Sequence, residues 1–155
     1  MKDHLLTKLT ADQVLDRLDK ALRAERQAVA DYHAHAQASD RLEIRDALET
    51  LRDVEREHAL RLALRITALG GSPASEEAEA RPASDSLADC LEQDLAGEQW
   101  AIGEYAQLVA CIVDDPETVD LMTELLFDEI RHAGWLKSAL NALGARASTA
   151  AEREF

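Results

Sequence analysis

Apolar positions along this chain recur at steps of three and four residues, the spacing of one face of an α-helix. The first stripe reads Leu15, Leu18, Leu22, Val29, Tyr32 and Ala36, and the second Leu48, Leu51, Leu62, Ile66 and Leu69. A third runs Leu87, Leu91, Leu95, Ile102, Tyr105, Val109, Ile112, and a fourth Val119, Met122, Leu126, Ala133, Leu136, Leu140. No period-two alternation lasts long enough for a strand. The pattern therefore predicts four long helices over about 11–38, 41–69, 86–113 and 116–143.

The boundaries carry their own signals. Thr10 is a good N-cap, with Gln13 three residues on as a capping-box partner. Gly70 and Gly71 end the second stripe, and Pro73 follows. Asp115 precedes Pro116, which suits the first position of a helix because its missing N–H would be unsatisfied there anyway. Residues 72–84, SPASEEAEARPAS, are polar with two prolines, so 70–85 reads as one long crossover. The connections near 39–41 and 114–115 are short, which makes helices one and two antiparallel, and three and four likewise. Gly144 is a stop signal, leaving 144–155 as a polar tail or a short fifth helix. The expected fold is all-α: a single domain over 1–155, two helical hairpins joined by a crossover to give a four-helix bundle.

Each stripe is broken by acid. Glu25, Glu55, Glu98 and Glu129 sit in the four seams, and His58 and His132 each follow a glutamate by three residues. The set is a repeat. Glu25 to Glu98 and Tyr32 to Tyr105 are 73 residues apart, and Glu55 to Glu129 and His58 to His132 are 74 apart. The i, i+3 spacing puts each Glu-x-x-His pair on one helix face. Ionised carboxylates in a low-dielectric core cost several kcal/mol each, even after relaxation. No seam Lys or Arg is placed to offset these four. Two divalent cations would cancel four negative charges, and oxygen and imidazole ligands without thiolate suit iron or manganese, with zinc as a competitor. Glu55 and Glu129, paired with histidines, are placed to bridge two ions, and Glu25 and Glu98 to be terminal ligands. Tyr32 and Tyr105, two turns beyond Glu25 and Glu98, are expected either to hydrogen-bond a ligand carboxylate on a neighbouring helix or to donate electrons, with core packing as the plain alternative.

Other residues narrow the picture less. The net charge of −14 argues against nucleic-acid binding and suits attraction of cations. No apolar run approaches the roughly 18 residues of a membrane span. The opening MKDHLLTKLT lacks a long apolar stretch and a cleavage site, so the cytoplasm is the expected location. Cys90 and Cys111, on one straight helix, would lie roughly 30 Å apart at 1.5 Å per residue, too far for a disulfide, and read as small buried hydrophobes. Trp100 and Trp135 read as packing or interface residues, and His33 and His35 as ordinary polar positions. Asp94, one turn before Glu98, is placed either to orient a ligand imidazole or to sit on a solvated face.

The ligand pattern resembles the ferritin-like diiron proteins, and within them bacterioferritin. The resemblance rests on LDKALRAERQAVADYHAHA (18–36), VEREHALRLALRITALGGSP (54–73), LEQDLAGEQWAIGEY (91–105) and DEIRHAGWLKSAL (128–140), which touch all four helices. It implies that Glu25, Glu55, His58, Glu98, Glu129 and His132 are ferroxidase ligands and that Tyr32 is the functional tyrosine beside them. It further implies two iron ions per subunit, with manganese as the alternative, oxidation of Fe(II) by O2 or H2O2, and a homo-oligomer, in the fullest form a 24-subunit cage storing iron. Bacterioferritin binds haem through a Met directly after the second ligand glutamate. Arg56 stands there in this chain, so haem is not expected. The inner-surface His and Asp that help iron reach the cavity would fall at Thr50 and Val54, which cannot do that work. Two other readings stay open: a rubrerythrin-like peroxidase or manganese catalase, and a non-catalytic metal-binding or cargo bundle. The Cys-x-x-Cys pairs of the usual rubrerythrin electron-transfer domain are missing from the sequence.

Overall fold

In a computed structural model, the four stripes fold as α1 (Ala11–Ala38), α2 (Leu42–Ala68), α3 (Leu87–Cys111) and α4 (Pro116–Arg153). The structure describes residues 7–153, and the side chains of 7–144. It is a four-helix bundle, with no strand among the described residues. α1 packs most extensively on α2 and α3 on α4, the two antiparallel hairpins. α1 and α3 also meet, as do α2 and α4 more sparsely.

The helix starts follow local chemistry. Thr10 and Gln13 form a reciprocal capping box at α1. The Ser86 side chain accepts from the Asp89 N–H at α3. Asp115 accepts from the Thr118 N–H at 3.1 Å to open α4. α2 ends at the only non-helical handedness in the described backbone: Gly70 has φ +84°, a region open to glycine at no steric cost. Gly71 is needed for a different reason. A Cβ there would come within 2.9 Å of Leu15 and 3.0 Å of Ile66.

Gly144 does not stop α4. The helix continues to Arg153, and no fifth helix forms in the described residues. A glycine costs a helix only about 1 kcal/mol unless it turns left-handed to cap it. Gly144 keeps a negative φ, and its neighbours Leu143, Ala145 and Arg146 are good helix formers.

The crossover lies along α1 instead of looping free. Asp19 accepts from the Ala74 N–H, Arg26 reaches the carbonyls of Ala74 and Glu76, and Gln27 reaches that of Glu79. Asp31, almost fully buried, accepts both the backbone N–H and the guanidinium of Arg81 at 2.8 Å.

The apolar core divides into two clusters. One is built around Leu18, Leu22, Leu62, Ile66, Met122 and Leu125, and the other around Ala36, Ile44, Leu48, Leu91 and Leu136. Tyr105 belongs to the first and Tyr32 to the second. Burial of each large aliphatic side chain stabilises the fold by about 1.5–3 kcal/mol. Cys90 and Cys111 are free thiols, both buried on α3.

Candidate metal centre

The six acid and imidazole side chains of the repeat converge at mid-bundle, and all six residues are buried, none more than 6% exposed as a whole. Each helix contributes by its own register: α1 gives Glu25, α2 gives Glu55 and His58, α3 gives Glu98, and α4 gives Glu129 and His132. The imidazole rings stack with centroids 6.1 Å apart and planes 19° from parallel.

The carboxylates of Glu55 and Glu129 each divide their two oxygens between the two rings. Glu55 Oε2 lies 3.0 Å from His58 Nδ1, and its Oε1 lies 2.8 Å from His132 Nδ1. Glu129 Oε1 lies 3.0 Å from His58 Nδ1, and its Oε2 lies 3.2 Å from His132 Nδ1. Glu25 stands 3.7 Å from the first ring and Glu98 3.7 Å from the second. Ligand atoms of Glu25, Glu55, His58 and Glu129 all lie within 4.8 Å of one another, as do those of Glu55, Glu98, Glu129 and His132. Glu55 and Glu129 belong to both sets.

These separations match hydrogen bonds, but the angles do not. Both oxygens of Glu55, Oε1 of Glu129 and Nδ1 of both histidines are buried without a hydrogen-bond partner. Buried polar groups are rarely left so. Ligand atoms clustered within 4.8 Å of one another yet left without hydrogen bonds are what a cation site requires. Oxygen and imidazole donors of this number fit two divalent ions of the iron and manganese class.

Without metal, the cluster must neutralise itself with protons. Burial alone would lower the His58 pKa, but the crowding carboxylates of Glu129, Glu25 and Glu55 outweigh it and push it up to about 12. His132 behaves alike: Glu129, Glu55 and Glu98 overcome burial and push it up to about 11. Burial and the neighbouring Glu129 and Glu55 raise Glu98 to about 9 against the pull of His132. Burial, then the charges of Glu129 and Glu55, hold Glu25 well above the usual range. Burial would raise Glu129 and Glu55 too, but the histidines pull Glu129 down to about 2 and Glu55 below its usual value. Protons held on both imidazoles and on Glu98, with Glu25 shifted the same way, offset the charge left on Glu55 and Glu129.

The tyrosines reach across the bundle. Tyr32 of α1 donates to Glu98 Oε1 on α3, and Tyr105 of α3 donates to Glu25 Oε1 on α1. A cavity of about 320 Å³ opens between α1 and α3. Its walls are small (Ala24, Ala28, Gly97, Ala101), and it reaches all four glutamates. On the α2–α4 side an opening of about 440 Å³ reaches His58.

A comparison with known families matches the ferritin-like domain over residues 15–145. The chain belongs to the ferritin-like family. Among solved structures, this ferritin-like chain resembles the dodecameric thioferritin of Bacteroides fragilis, a bacterioferritin-related protein, with a TM-score of 0.83 and 24% identity over 92% of each chain. It also resembles Rhodobacter capsulatus bacterioferritin, a structure with a metal-free dinuclear site and haem iron, with a TM-score of 0.75 and 25% identity over 90% of this chain and 89% of that one. A third likeness is to BfrA of M. tuberculosis, with a TM-score of 0.78 and 22% identity over 85% of each chain. A search of curated protein sequences gave no match.

Two expectations need correction. His35 is not an ordinary polar position: it is fully buried on α1, and its Nδ1 lies 2.9 Å from both oxygens of Asp94. Asp94 therefore orients His35 and not a ligand imidazole, and it is not on a solvated face. The residue that does face a ligand histidine is Asp128, whose Oδ2 lies 3.1 Å from His58 Nε2. Its sequence signal was its place directly before Glu129. His33 stays exposed, near Arg52. Trp100 sits at the rim of the 320 Å³ cavity with Lys20 Nζ 5.2 Å from its ring, and Trp135 packs on the second core cluster.

Proposed function

We propose that this ferritin-like chain is a ferroxidase of an iron-storing homo-oligomer, with Glu25, Glu55, His58, Glu98, Glu129 and His132 holding two Fe(II) ions as substrate. The observation that carries this reading is the splitting of Glu55 and Glu129 between the two imidazoles, which suits carboxylates that bridge an ion pair. Glu25 and Glu98 then serve one ion each. Two one-electron donors side by side deliver both electrons a peroxide needs: two Fe(II), H2O2 and two protons give two Fe(III) and two waters. O2 takes the same two electrons to become peroxide. Tyr32 fixes the Glu98 carboxylate in position, and Tyr105 does the same for Glu25. The 320 Å³ cavity gives small oxidants and cations a way to the carboxylates, and the net charge of −14 raises the local concentration of cations.

The likeness to a dodecameric thioferritin and to bacterioferritins supports assembly into a closed homo-oligomer, of twelve or twenty-four subunits. Arg56, at the position of the haem-binding methionine, speaks against haem.

The test is anaerobic loading with Fe(II), followed by ferric absorbance after adding air or H2O2, with light scattering to size the particle. The reading expects two Fe(II) oxidised per subunit in a fast phase, a further mineralising phase in a large particle, and loss of the fast phase in Glu55→Gln and Glu129→Gln. Fe(II) oxidation no faster than in buffer would overturn it. The paired Tyr32–Glu98 and Tyr105–Glu25 contacts favour a second reading, a rubrerythrin-like peroxidase. That reading expects a small oligomer, with continuous peroxide turnover once an electron donor is supplied.

A further inference from the structure

The two halves of the ligand set match in almost every respect. Each has a terminal glutamate 3.7 Å from its histidine, each terminal glutamate receives a tyrosine hydroxyl from the opposite hairpin, and both share the bridging pair. They differ in what stands behind the imidazole. His58 Nε2 lies 3.1 Å from Asp128 Oδ2, and Asp128 is itself ion-paired with Arg131 one turn on. The repeat offset of 74 residues puts Val54 at the equivalent place for His132. Valine accepts nothing. Every contact of the His132 ring with an acid runs through Nδ1, so no side chain among the described residues engages its Nε2. Asp94 and Asp31, the buried aspartates lining the cavity beside the site, are committed to His35 and Arg81.

We propose that this difference makes the two metal positions inequivalent. The Glu25–His58 position fills first and holds its ion more tightly, and the Glu98–His132 position exchanges. Asp128 is the positioning residue that sets the order. The inference rests on the dimetal reading above.

The physical reason is tautomer and orientation. A carboxylate accepting from Nε2–H keeps the proton on that nitrogen, leaves the Nδ1 lone pair facing the ion, and makes the imidazole more basic. It also holds the ring against rotation. Among the described residues no side chain serves His132 in this way, and its side chain is 8% exposed against 2% for His58. Removing such a partner typically lowers metal affinity about 10–100-fold, which sets the expected gap between the two binding steps. Val54 lines the 440 Å³ opening on the α2–α4 side and is half-buried, so an aspartate can be introduced there without disturbing the apolar core.

The test is titration of the metal-free, full-length oligomer with Co(II), which needs no oxidant, read by visible d–d absorption and calorimetry. The wild type should take two Co(II) per subunit in steps separated by about 10–100-fold in affinity. His132→Ala should keep the tight step and His58→Ala only the weak one. Asp128→Val should bring the tight step down to the weak one. Val54→Asp should raise the weak step to the tight one. The double swap Asp128→Val with Val54→Asp should reverse the order, so that His132→Ala on that background now removes the tight step. Two equal steps in the wild type overturn the proposal, as does a swap that leaves the order unchanged. Binding of fewer than two Co(II) per subunit overturns the dimetal reading and this proposal with it.

Discussion

Tyr32 on α1 donates its hydroxyl to Glu98 on α3, 66 residues away and in the other hairpin. Tyr105 returns the contact to Glu25. Both tyrosines are almost fully buried, so neither hydroxyl has water as a substitute partner. Tyr32→Phe leaves one oxygen of Glu98 with no donor. In the metal-free protein Glu98 is a neutral acid at pH 7, with its pKa raised to about 9 by burial and neighbouring glutamates. The lost bond is then neutral to neutral, and denaturant unfolding should show a cost of about 1 kcal/mol. With metal bound Glu98 is ionised, and the cost should rise to about 1.5–3 kcal/mol. An equal cost in both states would contradict the assigned protonation.

Metal binding should release protons. His58 (about 12), His132 (about 11) and Glu98 (about 9) stand above neutrality and hold their protons in the empty site at pH 7, and burial shifts Glu25 in the same direction. Two divalent ions must displace them, so Zn(II) added to weakly buffered protein should acidify the solution by about three equivalents per subunit or more. Release of none or one would mean the site was already ionised.

The same groups set the pH dependence of metal-free stability. Histidines raised in the folded state contribute stability that is fully present below about pH 6.5 and lost as pH rises toward 11–12. Glu98, raised from 4.5 to about 9, has the same sign: the folded state holds a proton that the unfolded state has given up, so stability falls with pH across that interval. Glu129, depressed to about 2, contributes stability above 4.5 that is lost as pH falls through 2. Thermal unfolding of the metal-free protein should therefore be highest near pH 4.5 and fall steadily to pH 9. Saturating Mn(II) or Zn(II) should reverse that slope below about pH 6.5, where the freed histidines take up protons on unfolding, and flatten it above.

The His35–Asp94 pair is buried but lies outside the ligand set. Breaking a buried pair by removing one partner typically costs about 3–5 kcal/mol. His35→Leu should fall in that range by urea unfolding, and His35→Leu with Asp94→Leu should recover much of it. Metal stoichiometry should stay at two per subunit in both. A cost under 1 kcal/mol for the single change would show that the pair contributes nothing.

Arg81 fastens the crossover to the buried Asp31. Arg81→Ala should speed limited proteolysis within residues 72–85 several-fold while leaving the helices intact. Unchanged cleavage would place the anchoring at Asp19 and Arg26 instead.

Which of these features could be read from the sequence follows from how far apart the partners lie. The seams, the capping box at Thr10, the glycines after α2 and the opening of α4 at Asp115 depend on residues within one or two turns, and local spacing reveals them. The six candidate ligands were visible because a duplicated pattern stated them twice. His35, Asp94, Asp31 and Arg81 were misread or missed because each is held by a partner 50 or more residues away, which no local pattern encodes. Gly144 misled because glycine stops a helix only when it turns left-handed, and this one does not. Asp128 was legible in principle. Comparing the two copies residue by residue sets it against Val54.

The central claim is that a pair of cations belongs among these four carboxylates and two imidazoles. Its most direct measurement is anomalous X-ray scattering from crystals soaked in Mn(II) or in Fe(II) without oxygen. The account predicts two peaks per subunit, both in contact with Glu55 and Glu129, one beside Glu25 and His58 and the other beside Glu98 and His132. No anomalous peak at that position, with the six side chains turned away from one another around water, would contradict it.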